Sequence, residues 1–411
     1  MKKRFFAVFL FLLVSMPVLA QSSSPYSRLG LGDVVSSFSS RRVALGGLGA
    51  AIEDADFIST LNPASLNKLS KVRIEVGFNY NAMFLSDKNQ SSYYGDAQFN
   101  GFTFAFPISQ TYGVSAVLGL APVTDVGYKT VQTKATADAP GIILEGEGGL
   151  SKVFVGGSYT LPFNFSIGAT FDYYFGNINY KSTTKYSGTD FTNAEYKKSL
   201  KPKGIGTTFG IISPDLGKWL NISNISDVKF GISASVVGNL KTDSVFTSLS
   251  SISEDTITLG RVDVKVPAKI NAGIAFKINK GYLVSLDYST QAWSNYKMNG
   301  LTSSELRNFN KFSLGCEYKP SKESGSSFWT RSSFRGGFSY EQTQYKINNA
   351  GVNSLLFSLG ASLPLSYENT VDIGVTYGIR KSSDENLFKE NFIRLNVGLS
   401  LGDIWFIRTE R

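Results

Sequence analysis

Residues 393–401 read Ile-Arg-Leu-Asn-Val-Gly-Leu-Ser-Leu, so every odd position is aliphatic and every even position is polar or glycine. Successive side chains of a β-strand point to opposite faces, and this stretch therefore predicts a strand with one apolar and one polar face. Residues 163–175 and 371–379 repeat the alternation. No apolar run of about 18 residues follows residue 70, which argues against membrane helices in that part of the chain.

The alternation recurs in fourteen segments, most of them ten or more residues long, as crossing a bilayer at a tilt requires. Hydrocarbon offers no hydrogen-bond partner, so only a closed sheet satisfies the backbone of such strands. The sequence therefore predicts an all-β fold, a closed antiparallel transmembrane β-barrel of about 14 strands. A secreted sandwich or propeller is the alternative, although its strands would usually be shorter. The segments lie near residues 72–83, 96–106, 111–122, 150–161, 163–177, 203–213, 228–239, 263–278, 281–293, 310–318, 331–343, 353–363, 369–380 and 391–402.

The composition excludes several function classes. The chain has 411 residues, no histidine and one cysteine, Cys316, which excludes histidine-based catalysis, cysteine metal clusters and an internal disulfide. The net charge of +9 is spread along the chain, so there is no basic stripe for nucleic acid. We therefore expect a protein that is not an enzyme, without cofactor, metal site or nucleic-acid partner.

The first 20 residues have the features of a signal peptide. Lys2, Lys3 and Arg4 precede an apolar run over residues 5–14, and Val-Leu-Ala at 18–20 resembles a cleavage site after Ala20. No cysteine follows this site, so lipid attachment is not expected there. Together with the barrel pattern, this predicts export to the bacterial outer membrane, with cleavage near Ala20 and a short basic tail at 403–411.

The connections between the predicted strands alternate in length. Residues 108–110, 162 and 279–280 are tight turns, whereas 124–149, 179–202 and 240–262 are long and polar. Outer-membrane barrels have short periplasmic turns and longer external loops. We therefore expect the three long segments to be loops outside the cell.

The region before the first strand, residues 21–71, has a different pattern. Asn62 followed by Pro63 and Ala64 predicts a helix with an asparagine N-cap and proline in its first turn. Residues 36–45 predict a second short helix that ends at Gly46-Gly47. A disordered tail would not need such capping, whereas a segment buried in the barrel would. We predict an N-terminal hatch or plug at 21–71 and a barrel at 72–402.

The Asn62-Pro63-Ala64 motif just before the first strand resembles the outer-membrane long-chain fatty-acid transporter family, whose hatch carries such a motif. Residues 266–275, 286–288 and 293–296 are also similar to that family, and residues 25–33 resemble its members from Bacteroidetes-type bacteria. The resemblance implies a hydrophobic ligand, hatch-gated passage and lateral exit beside a kinked strand. Gly119, Pro122 and Gly127 are candidates for that kink in the third strand, or they mark an ordinary strand end. No ligand-pocket or metal-binding residue can be assigned.

The sequence is compatible with two functions, and fold alone does not separate them. The first is passive uptake of hydrophobic small molecules such as long-chain fatty acids, with outer-membrane lipid and the ligand as partners. The alternative is a structural or accessory subunit of an outer-membrane protein export or assembly machine, since the type IX secretion shuttle protein is a relative of this kind. That role requires a periplasmic or outer-membrane protein partner, for which turns 214–227 and 320–330 offer contact surface.

Overall fold

The computed structural model describes residues 24–37, 39–88, 90–132, 140–186, 193–217, 224–249, 254–279, 281–319, 327–366 and 368–403. The predicted signal peptide and all but the first residue of the predicted tail lie outside these ranges, as do parts of turns 214–227 and 320–330. Among the described residues, no helix is both long enough and apolar enough to cross a membrane.

The described residues form nineteen strands, all in one antiparallel sheet. They are β1 Asp33–Val34, β2 Val72–Ser86, β3 Ser91–Ser109, β4 Val114–Gln132, β5 Gly141–Thr160, β6 Ser166–Lys185, β7 Ala194–Ile212, β8 Ile225–Val237, β9 Leu240–Leu249, β10 Glu254–Lys265, β11 Lys269–Ile278, β12 Tyr282–Gln291, β13 Lys297–Met298, β14 Leu301–Thr302, β15 Phe309–Tyr318, β16 Ser333–Ile347, β17 Ala350–Pro364, β18 Thr370–Ser382 and β19 Lys389–Asp403.

Within the described residues, the sheet closes into a barrel of fourteen strand positions, which confirms the predicted fold. Strands β8 and β9 together occupy one position, and β10 and β11 occupy the next, because β7 pairs with both β8 and β9. The last strand, β19, pairs with the first barrel strand, β2, from Lys389↔Ser86 to Asp403↔Val72. We call the end of the barrel that contains Val72 the turn end and the opposite end the loop end.

Helical structure is sparse in the described residues. The α-helices are α1 Ser40–Ala44 and α2 Phe328–Arg331, and the 3-10 helices are Pro25–Arg28, Pro63–Lys68, Pro162–Asn164 and Trp293–Asn295. The helix predicted at 36–45 is thus shorter than expected. It is followed by Gly46 and Gly47, whose φ angles of +84° and +86° suit glycine.

The two faces of the barrel wall differ as the alternation predicted. In β19 the side chain of Asn396 faces inward and is buried, whereas its neighbours Leu395 and Val397 belong to the outward face. Outward-facing side chains such as Phe171, Leu314 and Leu359 remain exposed in the isolated chain. Such a surface is stable only against hydrocarbon, so the barrel is built to span a membrane.

The prediction of long loops at 124–149, 179–202 and 240–262 is wrong for most of their length. Only residues 133–140, 186–193 and 250–253 separate the strands there, and the rest continues the ladders of β4 to β10. The apolar outward face that marks the other strands is absent here, because the outward face lies beyond the hydrocarbon at this level. We call this extension the wall; it comprises residues 124–132, 141–149, 177–185, 194–203, 240–249 and 254–263.

The outward face of these strands changes character where the wall begins. Along β7 towards the loop end, the next outward-facing side chain after the apolar Ile205 is Lys203. In the adjoining strand position, the outward-facing Val236 of β8 is likewise followed by Lys241 of β9. On the wall, Lys241 Nζ pairs with Asp263 Oδ1 at 2.7 Å, and other ion pairs continue around it. Charged side chains on the outward face show that the wall stands in water.

Candidate functional site

The N-terminal segment, residues 24–71, lies inside the barrel, because its groups bond inward-facing side chains of strands on several sides. The Ala50 amide donates to Asp287 of β12 at 2.7 Å, and the Ile58 amide donates to Glu75 of β2 at 2.8 Å. At the loop end, the Tyr26 hydroxyl donates to the Phe388 carbonyl at 2.6 Å. The segment therefore crosses the lumen from the loop end to the turn end.

A buried ion-pair cluster holds the middle of this segment. Arg41 Nη2 lies 2.7 Å from both Asp54 Oδ2 and Glu317 Oε2, and all three side chains are at most 7% exposed. Arg335 extends the cluster by pairing with Glu317 at 3.3 Å and with Asp372 at 3.4 Å. We call Arg41, Asp54 and Glu317 the central anchor. It joins residues 276 positions apart in the sequence.

The charges around the central anchor determine the protonation state of Asp54, the carboxylate that the N-terminal segment contributes to it. Burial by itself would raise the pKa of Asp54, but the positive charges of Arg41 and Lys319 outweigh burial and hold that pKa well below its usual range. Lys319 Nζ lies 3.1 Å from Asp54 Oδ1. Asp54 is therefore ionised at neutral pH and attracts both cations.

Two further sets of contacts fasten the ends of the segment. Near the loop end, Asp33 accepts hydrogen bonds from Tyr345 at 2.6 Å and from Arg380 Nη1 at 3.0 Å. Near the turn end, Lys229 pairs with Glu53 and Arg73 pairs with Asp56 at 2.9 Å. Each contact joins a charged side chain of the segment to an inward-facing strand residue, so the segment is held along its whole length.

The Asn62-Pro63-Ala64 motif forms a tight turn against the barrel wall. The Asn62 side chain accepts from the Ala64 amide at 3.1 Å, which caps the Pro63–Lys68 helix, and it donates to the Ala50 carbonyl at 2.6 Å. A Cβ on Gly210 would lie 1.9 Å from Asn62 Oδ1, so only glycine fits at that strand position. The motif is thus packed directly against β7.

The third barrel strand does not end at the predicted kink but continues as β4 to Gln132. Gly119 is still paired with Thr103 of β3, and the β3–β4 ladder stops one residue later, at Leu120. A register shift between Pro122 and Thr124 follows in the β4–β5 ladder. Beyond this point the described residues of β3 and β4 are no longer paired through their backbones, which leaves a break in the barrel ladder on the loop-end side of Phe102.

The N-terminal segment covers the edge of β4 that this break exposes. Strand β1 pairs with β4 through Asp33↔Asp125 and Val34↔Thr124, and the Val35 amide donates to the Val123 carbonyl at 3.0 Å. The Gly127 amide donates to Ser27 Oγ at 3.2 Å. The predicted residues Pro122 and Gly127 therefore border the break, and part of the chain itself fills it.

A cavity of 590 Å³ lies beside this break, between the N-terminal segment and strands β16 to β19 and β2. Its lining is mixed: Arg394, Asn81 and Asn396 contribute polar groups, whereas Met83 and Phe392 contribute an apolar patch. The lining also includes Gln98 and Asp125 from the two separated strands. A second cavity of 1440 Å³ opens at the turn end and is lined by a mixture of charged, polar and apolar residues.

Above the first cavity, a buried apolar cluster closes much of the loop end. Tyr26 and Leu31 of the N-terminal segment pack there with inward-facing residues of the wall and of the connection after β12. The cluster consists of Tyr26, Leu31, Val126, Tyr128, Leu150, Tyr174, Ile178, Leu200, Leu240, Val264, Val266, Trp293, Tyr296, Leu306, Phe309, Tyr345 and Val352.

Sequence reasoning identified the capped turn but not the pairing of Arg41 with Asp54 and Glu317. Arg41 and Arg42 stand in a segment rich in glycine and alanine, and two adjacent cations in such surroundings are the signal that could have pointed to buried ion pairs. Among the described residues, no group of three or more metal-ligand side chains is placed to hold a metal ion.

A family model described as BamG matches residues 1–410. The chain belongs to the BamG family. No curated protein matches this BamG-family chain. Solved structures with a similar fold include a FadL homologue from Pseudomonas aeruginosa, with 12% identity, a TM-score of 0.63 and coverage of 90% of this chain and 98% of that one.

Two toluene transporters are also similar in structure. TodX from P. putida has 13% identity and a TM-score of 0.61, and 91% of this chain and 100% of that chain are covered. TbuX from Ralstonia pickettii has 16% identity, a TM-score of 0.60, and coverage of 90% and 99%. The structural neighbours are therefore transporters of hydrophobic compounds with the FadL-type barrel, which confirms the predicted resemblance. At these identities the likeness establishes the fold of the BamG-family chain.

Proposed function

We propose that this protein is an outer-membrane barrel that acts through protein contacts, as a structural or accessory subunit of a machine that exports or assembles outer-membrane proteins. The observation that carries the proposal is the combination of an occupied lumen and a tall water-exposed wall on one side of the barrel. In this proposal, residues 1–20 direct export, residues 21–71 are a static plug, residues 72–402 form the barrel and residues 403–411 are a tail.

The lumen is poorly suited to an apolar solute. To pass along it, a solute would have to displace the N-terminal segment, which is held by the central anchor and by the contacts of Asp33, Glu53 and Asp56. Breaking a buried ion pair by removing one partner costs about 3–5 kcal/mol, and several pairs must separate together. The 590 Å³ cavity also presents Arg394 and several amide side chains. Both features favour a permanently closed barrel.

The wall offers a surface on which a second protein of a larger machine could bind. Strands β4 to β7 contain 19 or 20 residues each, whereas about 9–11 suffice to cross the bilayer. The additional length forms an ordered surface in water on one side of the mouth, and its outward charges pair with each other. A rigid surface of this kind suits a protein partner, because few groups must be ordered on binding.

Purification from native membranes tests this proposal. A tagged chain extracted in mild detergent should elute with a second outer-membrane protein at fixed stoichiometry, and cells lacking the chain should contain less of several unrelated barrels. A control strain that carries the tagged chain with the wall hairpin at 240–263 removed should lose the partner but retain the folded barrel. A chain that elutes alone from native membranes would overturn the accessory role.

A second function is favoured by the break between β3 and β4: hatch-gated passage of hydrophobic small molecules such as long-chain fatty acids, with lateral exit. The 590 Å³ cavity adjoins both separated strands, and structural neighbours are named as toluene transporters. In this reading, Asn62-Pro63-Ala64 form the moving hatch turn, Gly119, Pro122 and Gly127 form the kink, and a ligand leaves into the membrane after β1 releases β4.

Uptake measurements separate the two functions. Deletion of Asn62-Pro63-Ala64 should impair uptake of a labelled long-chain fatty acid if the hatch gates transport, at an unchanged amount of folded barrel. Gly336→Ala is a suitable control, since the new Cβ would have nothing closer than 3.8 Å. Unchanged uptake in the deletion strain and in cells without the protein would exclude the transport function for that compound.

A further inference from the structure

The wall has two lateral edges, and they differ in how far other residues of the chain cover them. The edge formed by β4 is covered from within by β1 and by Ser27, as described above. The opposite edge is formed by β10, which pairs with β9 on one side. On its other side, within the described residues, β13 covers only Val264 and Lys265, and Asn299 bonds the Asp263 carbonyl.

Residues 254–262 therefore form a strand edge to which no described strand is paired. Residues 254–261 are exposed to solvent on both faces. A strand edge of this kind presents unpaired backbone N–H and C=O groups, which an additional strand can satisfy. We propose that this edge is a docking site for an extended strand of a partner protein, which extends the wall by β-sheet augmentation. The inference rests on the proposed accessory function and gives its partner a place to bind.

The charges at this edge define the partner. Glu254 and Asp255 lie at its tip, both are exposed, and neither forms an ion pair with a described residue. Next to them, Ile257 is 56% exposed and lies opposite Phe246 of β9, which stacks on Tyr196 of β7. The edge thus combines an acidic tip with a small apolar surface. The complementary strand carries Lys or Arg at the end that meets the tip and an apolar side chain facing Ile257.

A second copy of the chain does not fit this edge. Two barrels in one membrane have the same orientation, so a two-fold axis between them runs along the membrane normal. The two β10 strands would then meet parallel and in register, with Glu254 and Asp255 facing the same residues of the other copy. Like charges directly opposite each other destabilise a strand pair. The acidic tip therefore selects a different protein.

Cross-linking in intact cells tests the site. A photoreactive benzoyl-phenylalanine is introduced at Thr256 or at Thr258, two positions on the same face of β10. Each of the two variants should give one adduct with the same outer-membrane protein. Mass spectrometry should map the two cross-links to one extended segment of that protein, two residues apart, since this spacing is the signature of paired strands. Adducts with a second copy of this chain, no adduct, or scattered cross-links would overturn the proposal.

Charge reversal provides the matched test. The double variant Glu254→Lys with Asp255→Lys should lower the adduct yield at least tenfold. Asp384→Lys with Glu385→Lys reverses another adjacent acidic pair at the loop end and should leave the yield unchanged, with both variants showing heat-modifiable barrels on gels. If the partner still co-purifies with the reversed tip, the edge proposal fails while the accessory function stands. If no partner co-purifies even with the wild-type chain, the accessory function itself fails.

Discussion

Replacement of Arg41 by methionine is a direct probe of how firmly the N-terminal segment is held. The change keeps the length of the side chain but removes a guanidinium that lies 2.7 Å from both Asp54 and Glu317. Two buried carboxylates then lose a shared cation. Glu317 retains Arg335 at 3.3 Å, and Asp54 retains Lys319 at 3.1 Å, so neither is left completely uncompensated.

The expected cost follows from these remaining partners. Removal of one member of a buried ion pair costs about 3–5 kcal/mol, and the two surviving cations place this case at the low end, about 3 kcal/mol. At 1.4 kcal/mol per factor of ten, the equilibrium for local release of the segment should shift roughly 100-fold. The anchor joins the segment to the barrel, so the loss acts on the release of the segment more than on the pairing of the strands.

Thiol labelling measures that release. Ser59 is buried and its hydroxyl has no hydrogen-bond partner among the described residues, so Ser59→Cys in a Cys316→Ser background introduces a probe at low cost. Arg41→Met should label roughly 100-fold faster than this parent. Adding Glu317→Gln should restore most of the protection, because it neutralises one of the two carboxylates that lose Arg41. A single variant that labels within threefold of the parent, or a double variant that labels as fast as the single one, would refute the reasoning.

Four further predictions concern the surroundings of the site. Labelling of the Ser59→Cys probe by a pyridyl disulfide should stay slow down to about pH 4 and accelerate only below it. The depressed pKa of Asp54 gives stability that is present above the unfolded-state pKa and is lost as the pH falls through the folded-state pKa. Gly210→Ala should cost about 1–3 kcal/mol in urea unfolding through its clash with the Asn62 turn, whereas Gly336→Ala should not. Val397→Arg should cost about 2–4 kcal/mol in lipid vesicles, with Val397→Leu near neutral. Ser248→Cys should react with an impermeant reagent on intact cells and Tyr112→Cys should not; the reverse pattern would invert the barrel.

Much of the barrel could be predicted from the sequence, because hydrocarbon on one side and a polar lumen on the other impose a period of two on every strand. This holds for β19, where Leu395 and Val397 alternate with Asn396 as predicted. It fails for the wall. At residues 194–203 the outward face of β7 carries Glu195, Lys197, Ser199, Lys201 and Lys203, since it no longer meets hydrocarbon, and an ordered strand there has the composition of a loop.

The N-terminal segment was predictable only in its local features. The cap at Asn62 depends on side chains two residues apart, and such contacts can be recognised from the sequence. The bond of Arg41 to Glu317 joins positions 276 apart, and the sequence offers several other inward-facing carboxylates as partners. Which of them is chosen depends on where the segment lies in the lumen. The same limit applies to the β1–β4 pairing, since a two-residue strand carries no periodicity.

The break between β3 and β4 and the free edge of β10 have the same physical consequence. Each exposes strand edges that need hydrogen-bond partners, and the chain covers the first with its own residues 33–35. If the barrel were a transporter, that cover would have to be released repeatedly, against the pairs that hold Asp33 to Arg380 and Tyr345. A static subunit has no such requirement: the same contacts then keep the first edge closed, and the second edge, to which no described strand is paired, stays open in water where a partner can reach it. The accessory function therefore explains the covered edge and the free edge together.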